Sequence, residues 1–546
     1  MTDNPTRREF LVRSALLAAG VSALPLFRPG NSFAQGQGSI AAEDLVDIGE
    51  KFRRGSAKRV TLGSASNGTA LQATCDGGVF TSRVLQSSAP FTHVGLHWLA
   101  AVPSDAGLNF ELRTSADGST WSSWSSAQLR RLPEETPAGD YFASLVYADG
   151  ARFVQYRASF ETAGGSSPSL KRVTATVIDS PPTTASATAG DQLPTTPVQD
   201  ADSGRTLTVT SREQWVANEK YRFNKRGQEL WPEMFVPAKK LVVHHTATRN
   251  DYATAADAAE VRAIYYYHAV TQRYGDVGYT ALIDKFGNVY EGRHGRGEGT
   301  GREILSAGVV AGHDYAHNYG SAGIALLGDA TQPGWPTTTN TGPMWDALVG
   351  FGVFEAGRHY LRPLSADGST AAASDFLRSD NVWTNGMHNV SGHRETNNTA
   401  CPGEKVMALL DELQSEIHSG LADTSRAGVT LTSPSLSTQE TRVGTTVTFT
   451  WQVDTPEAPW TLTGYEYCLE GWYKPSNSIN ITYLKGYTAE TQPRLAWTPV
   501  KNTDTKSVSL PLTKAGQYTF HVRAVLTNGA DERRSAYEGR HTLLVK

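Results

Sequence analysis

The period of the apolar residues changes along the chain, and that change constrains the fold more than any single motif. From 60 to 178 short stretches alternate apolar with polar, as in Phe91-Thr92-His93-Val94-Gly95-Leu96-His97-Trp98 and Phe153-Val154-Gln155-Tyr156-Arg157, with Gly, Pro and Asp-Gly turns between them. Alternation puts every second side chain on one face of a strand, so an antiparallel β-sandwich is expected over 60–179. The pattern returns in Thr446-Val447-Thr448-Phe449-Thr450-Trp451 and Gln517-Tyr518-Thr519-Phe520-His521-Val522, where a second sandwich of immunoglobulin or fibronectin type is expected over 428–546. Residues 180–204, rich in Pro, Thr, Ala and Ser, read as a linker.

The segment 205–421 mixes both periods. Lys240-Leu241-Val242-Val243 reads as a buried strand. Val261, Ile264, Tyr265 and His268 share one helical face within 255–270, and Thr254 and Asp257 are spaced as a capping box. A hairpin is expected around Lys285-Phe286-Gly287, a further strand at 322–327, and helices at 344–360 and 404–418. This is an α/β pattern, a mixed sheet covered by helices, flanked by two all-β sandwich domains. Sites in such sheets sit at strand ends.

A chain of 546 residues exceeds what one core supports, in keeping with three domains. Lys+Arg 50 against Asp+Glu 54 leaves a net charge of -4, which argues against nucleic acid as a partner. Three cysteines, Cys75, Cys401 and Cys468, are too few and too scattered for a disulfide framework. Thr6-Arg7-Arg8-Glu9-Phe10-Leu11 matches the twin-arginine export pattern, and the apolar stretch 15–26 that follows is shorter than the ~20 residues a spanning helix needs. Ser32-Phe33-Ala34 offers small residues for cleavage after Ala34. The mature protein is therefore expected to be secreted, periplasmic or cell-wall associated, with no transmembrane anchor.

His244 and His245 end the strand that begins at Lys240, and His393 in Ser391-Gly392-His393-Arg394-Glu395 precedes Cys401 by eight positions. Pro402 can open the following helix, which would put Cys401 where the helix dipole favours a thiolate. Two imidazoles and a thiolate suit zinc, and three protein ligands leave a fourth position for water. Taken singly, each residue is ordinary, since a lone cysteine is usually an inert hydrophobe and a lone histidine a satisfied one. Copper also takes two His and one Cys, but its usual loop places a histidine and a methionine shortly after the cysteine. Met407 is present here, yet the first histidine after Cys401 is His418.

These residues lie in a series of short motifs in order: Ser211-Arg212-Glu213-Gln214-Trp215, Val243-His244-His245-Thr246-Ala247, Asp276-Val277-Gly278-Tyr279, Val289-Tyr290-Glu291-Gly292-Arg293, Gly312-His313, Ala322-Gly323-Ile324, Gly392-His393-Arg394 and Cys401-Pro402-Gly403. The series resembles the peptidoglycan recognition protein family and the type-2 N-acetylmuramoyl-L-alanine amidases. The resemblance implies zinc held by His244, His393 and Cys401, and hydrolysis of the amide between the lactyl group of N-acetylmuramic acid and L-alanine in peptidoglycan or muropeptides. Members without catalysis typically lack the cysteine, so a non-catalytic peptidoglycan-binding protein is the rival reading. Tyr279 falls on the family's catalytic tyrosine and Thr399 on an assisting position. His245, Arg293, His313 and Asn318 are expected to line or shape the groove, with Asn318 equally readable as a loop cap and His268 as a structural histidine.

Two departures matter: Ala325 stands where related amidases carry a glutamate, and the loop between Arg293 and His313 is longer than in the animal proteins. The insertion 363–382 matches no motif. All these site residues fall within 205–421, so that segment alone is expected to carry cleavage. Trp98, Trp121 and Trp124 in one flank and Trp451, Trp460 and Trp472 in the other read as core packing or, alternatively, as glycan platforms.

Overall fold

The computed structural model describes residues 40–546 apart from 66–67, 130–139, 183–192, 202, 253–257, 338, 366, 422–427, 434–438, 477 and 489–492. The twin-arginine leader and the capping box at Thr254 and Asp257 lie outside the described residues. The amino-terminal segment forms one ten-stranded antiparallel sheet rather than two separate ones. Its long members are β1 (Ala41–Ile48), β2 (Leu85–Ala101), β3 (Asp140–Glu161) and β4 (Ser169–Asp179). The 22 residues of β3 pair with β2 along their first part and with Gly78–Thr81 and Gly107–Ser115 along their last, which joins what would be two layers into one sheet. Val94, Leu96, Trp98, Phe110, Tyr156 and Val173 point into a single core. The domain also starts earlier than 60, because β1 pairs with β4 along its whole length.

The stretch expected to be a linker is partly structured. Thr196–Gln199 pairs with Thr206–Val209, and Val198 packs on the core of the middle domain beside Leu207 and Val209. Composition hid this, since one apolar residue suffices when the partner strand supplies the rest of the face.

The middle domain is built on β5 (Lys240–His245), flanked by the parallel strands β8 (Ser321–Leu326) and β9 (Val390–Gly392). Beyond β8 comes the expected hairpin, β6 (Ala281–Ile283) and β7 (Val289–Glu291), with β6 parallel to β8. Every residue of these five strands is buried, as expected of a sheet covered on both faces. On one face Leu241, Val243, Ile324 and Leu326 meet α2 (Pro343–Arg358) and α3 (Leu410–Gly420) through Phe351 and Ile417. On the other, Leu282 and Ala325 meet α1 (Ala259–Tyr266) through Val261 and Ile264.

Two helices depart from expectation. After Tyr266 the first continues as a π turn, Tyr267–Thr271, and the last is split into Glu404–Met407 and α3. The unassigned insertion contributes a hairpin, Ala373–Leu377 with Trp383–His388, whose Ser374 and Met387 carbonyls accept from Lys240 Nζ.

The carboxy-terminal segment has a three-stranded and a seven-stranded sheet sharing a core of Phe449, Trp451, Phe520, Val522 and Leu543. Trp98, Trp451 and Trp472 are buried. Arg113 lies 4.8 Å from the Trp121 ring and 4.6 Å from that of Trp124, and Arg157 lies 4.7 Å from the latter. Trp121 and Trp124 are partly exposed beneath these guanidinium groups and lie outside the buried core. The carboxy-terminal sheets are docked on the middle domain: Trp472 stacks with Tyr319, and Arg540 donates to the His359 carbonyl. No helix among the described residues is long and apolar enough to cross a membrane.

Candidate metal centre

Strand register brings the three expected ligands together. Val243 of β5 lies opposite Gly392 of β9, so the next residues, His244 and His393, emerge side by side at the carboxyl ends of parallel strands. Their ring centroids are 4.4 Å apart. The loop after His393 folds back, with Arg394 N donating to Cys401 O, and delivers Cys401 Sγ to 3.7 Å from His244 Nδ1. One donor atom from each residue lies within 4.8 Å of the others, the one such grouping among the described residues. His244 is buried, whereas His393 and Cys401 are partly exposed, so the group opens to solvent on one side.

The donor set fits zinc, with two imidazole nitrogens and a sulfur. The His245 backbone N–H points at Cys401 Sγ from 3.3 Å and favours a thiolate there. A long helix dipole does not assist as expected: the helix after Pro402 starts at Glu404 and lasts one turn.

Behind the ligands a hydrogen-bond chain sets the His244 tautomer. His244 Nε2 lies 2.9 Å from His313 Nδ1, His313 Nε2 lies 3.3 Å from Ser321 Oγ, and Ser321 Oγ donates to the His317 carbonyl at 2.6 Å. Because the Ser321 proton is committed to a carbonyl, its oxygen accepts from His313 Nε2–H. His313 Nδ1 then accepts from His244 Nε2–H, leaving the His244 Nδ1 lone pair facing Cys401. Burial pulls the His313 pKa down to about 4, so the ring is neutral and able to accept. A Cβ on Gly323 would sit 2.3 Å from that ring, which explains the glycine in Ala322-Gly323-Ile324. On the other side Asp314 Oδ1 lies 4.0 Å from His393 Nε2. Burial pushes the Asp314 carboxyl up, but the His317 hydrogen bond and the His393 charge outweigh it and hold it lowered.

Tyr279 is buried with its ring 5.5 Å from that of His244, and it lines a small cavity that none of His244, His393 and Cys401 lines. Thr399 Oγ1 accepts from Cys401 N at 3.2 Å, so it braces the ligand loop. The four residues expected along the groove are placed differently. His313 stands behind His244 as described. His245 lies on the opposite face of β5 from His244, with Nδ1 accepting from Ala330 N. Arg293 is enclosed, ion-paired to Asp276 and donating to the Trp231 and Val310 carbonyls. Asn318 Oδ1 caps the Asp314 backbone N–H, the loop-cap alternative. All four are buried and bonded within the domain, where they shape the site.

That small cavity is also lined by Thr246, Thr248, His268 and Gln272, together with Ser144 and Leu145 from the amino-terminal sheet. His268 is also structural, its Nδ1 accepting from Gly278 N. A helical wheel cannot place it at the cavity, because the π turn shifts its register. Ser144 and Leu145 carry no sequence signal for this role.

A family model described as N-acetylmuramoyl-L-alanine amidase matches residues 234–404. The N-acetylmuramoyl-L-alanine amidase of Homo sapiens is 28% identical over 177 residues, 32% of this chain and 24% of its own length. Peptidoglycan-recognition protein LB of Drosophila melanogaster is 26% identical over 176 residues, 32% of this chain and 57% of its own length. The chain thus spans well under two thirds of either relative. The solved structure of wild-type Drosophila PGRP-LB is similar to 36% of this chain over 89% of its own, at 23% identity and a TM-score of 0.25. The endolysin of the Thermus scotoductus bacteriophage Ph2119 is similar to 35% of this chain over 93% of its own, at 20% identity and a TM-score of 0.23. Residues 234–404, in the middle of this chain, form a domain of the N-acetylmuramoyl-L-alanine amidase and peptidoglycan recognition protein family.

Proposed function

We propose that the chain is an exported, zinc-dependent N-acetylmuramoyl-L-alanine amidase that hydrolyses the amide between the lactyl group of N-acetylmuramic acid and L-alanine. The observation that carries this reading is the convergence of His244, His393 and Cys401 at one open-sided point. Export by the twin-arginine route, without a transmembrane anchor in the mature protein, and an immunoglobulin or fibronectin type for the carboxy-terminal sheets belong to the same proposal.

His244, His393 and Cys401 would hold zinc, which when bound would supply Lewis-acid polarisation for hydrolysis of the amide. The chain's own residues do the rest. His313 keeps the His244 proton on Nε2, and Asp314 places a negative charge beside His393. Tyr279, whose ring lies 5.5 Å from that of His244, is the hydrogen-bond donor for the charge that develops on the carbonyl oxygen. Thr399 Oγ1 holds the Cys401 backbone and keeps its O–H free to assist beside the thiolate. Ala325, level with His244 on the neighbouring strand, leaves no carboxylate there to act as a base.

Cys401→Ser tests the reading, because a hydroxyl seldom ionises and is a poor zinc ligand. Wild-type protein is expected to carry about one zinc per chain and to release muropeptides with a free lactyl carboxylate and a new amino-terminal alanine, seen by mass spectrometry. Cys401→Ser should lose zinc and most turnover, while Cys75→Ser, at an exposed position, should keep both. A Cys401→Ser protein with wild-type zinc and rate overturns the proposal. Wild-type protein that binds peptidoglycan and releases no product favours the recognition reading.

A further inference from the structure

We propose that the insertion hairpin, Ala373–Leu377 with Trp383–His388, holds His244 and His393 in place for the metal, with Thr384 and His388 as its positioning residues. The inference rests on the metal-centre reading above and gives a role to a segment that matches no motif.

The hairpin is anchored at its base and at its turn. Four oxygens surround the buried Lys240 Nζ: the Ser374 carbonyl and hydroxyl at 2.9 Å, Asn389 Oδ1 at 2.8 Å and the Met387 carbonyl. A buried ammonium is costly without acceptors, so both hairpin strands are tied to the first residue of β5, the strand that carries His244. Phe376 and Met387 also pack on Val242 of that strand. From the carboxy-terminal sheets Gln517 Nε2 donates to the Arg378 carbonyl at 2.7 Å and holds the turn. Beyond Asn389 the chain passes directly into β9 and His393.

One route from this base to the ligands runs through the loop 313–318. Ser379 N donates to the Ala316 carbonyl at 3.0 Å, and Ala316 sits at φ 63°, a left-handed conformation that persists in an alanine only when the surroundings hold it. Thr384 Oγ1 lies 2.8 Å from His317 Nε2, and His317 Nδ1 lies 2.9 Å from the Tyr315 carbonyl and 3.4 Å from Asp314 Oδ1. A carbonyl only accepts, so Nδ1 carries a hydrogen, and the Thr384 hydroxyl fixes the other end of the ring. His317 then serves both histidine ligands. Its ring meets Asp314, whose Oδ2 shares the Thr396 hydroxyl with the His393 carbonyl at 2.9 and 2.7 Å, and whose Oδ1 accepts from Asn397 Nδ2. Its carbonyl takes the Ser321 proton and so commits His313 to His244.

The second route is shorter. His388 Nδ1 lies 2.7 Å from Glu395 Oε2, and Glu395 Oε1 accepts from Gly392 N at 3.0 Å. One carboxylate thus joins the end of the hairpin to the backbone on both sides of His393. The turn that carries His393 is gripped by Asp314 on one side and by Glu395 on the other, and the hairpin reaches each grip through a single side chain. Losing either contact leaves the opposite grip intact, so the two losses together should exceed each alone.

The test uses the full chain and reads the metal directly. Thr384→Val keeps the shape and removes the hydroxyl, His388→Ala removes the ring, and Thr384→Ser with His388→Asn returns a hydrogen-bonding group at each position. Zinc affinity, from competition with a chromophoric chelator, should fall about threefold in each single variant and about tenfold in Thr384→Val with His388→Ala, and stay within about twofold of wild type in the Ser and Asn pair. Loaded with cobalt(II) instead, the Val and Ala pair should show a shifted d–d absorption, which a loss of stability alone would not produce. Wild-type zinc affinity and an unshifted cobalt band in the folded Val and Ala pair overturn the inference and leave the metal-centre reading intact. An equal loss of affinity in the Ser and Asn pair overturns it too. A wild-type chain that takes up neither zinc nor cobalt removes the metal-centre reading itself, and the inference with it.

Discussion

Replacing His313 with phenylalanine separates a support of the metal centre from a groove residue. The phenyl ring keeps the packing over Gly323 but offers no acceptor, so His244 Nε2–H, on a residue 1% exposed, is left buried without its 2.9 Å partner. Stranding one buried donor costs about 1–3 kcal/mol, or about 5- to 150-fold in an equilibrium constant. Loss of a second-sphere partner of a metal ligand typically costs about 10–100-fold in affinity or activity. Zinc affinity, measured by competition with a chromophoric chelator at neutral pH, should therefore fall about 10–100-fold. His313→Asn, which returns a carbonyl oxygen near the Nδ1 position, should recover most of that loss. Affinity within threefold of wild type in a folded His313→Phe protein would refute the tautomer argument. If KM rose while zinc affinity held, His313 would be the groove residue that the family resemblance implies.

Two further outcomes follow from other parts of the chain. His521 is buried between Glu470 at 3.2 Å and Glu538 at 2.7 Å; burial lowers its pKa, and the two carboxylates outweigh burial, so it is raised above 6.5. Its stabilisation is then complete below pH 6.5 and lost as pH rises through the folded value, while the partners, held at about 2 against burial, lose theirs only as pH falls toward that value. The Tm deficit of His521→Gln should accordingly be larger at pH 6 than at pH 9, and equal deficits would contradict the assignment. For export, Arg7→Lys with Arg8→Lys should leave the precursor in the cytoplasm, because lysine does not reproduce the paired guanidinium forks; unchanged extracellular levels would remove the twin-arginine proposal.

Local pattern was enough for much of this protein. Apolar alternation marks β2, β3 and the carboxy-terminal strands, and the unbroken run Leu241-Val242-Val243 marks a strand covered on both faces, because side-chain period follows directly from backbone geometry. The candidate trio His244, His393 and Cys401 was named by the family resemblance, because residue chemistry alone suits zinc but left His244 and His245 both open. Tertiary structure decided what local pattern could not carry. Arg293 and His313 look like groove residues until the Asp276 pair and the His244 bond occupy them. The linker's Val198 becomes a core residue only when Leu207 and Val209 lie beside it. The one-residue bulge between β2 and β3 likewise depends on how two strands pair. Pairing and docking join residues far apart in the chain, so the periodicity of any one segment is blind to them.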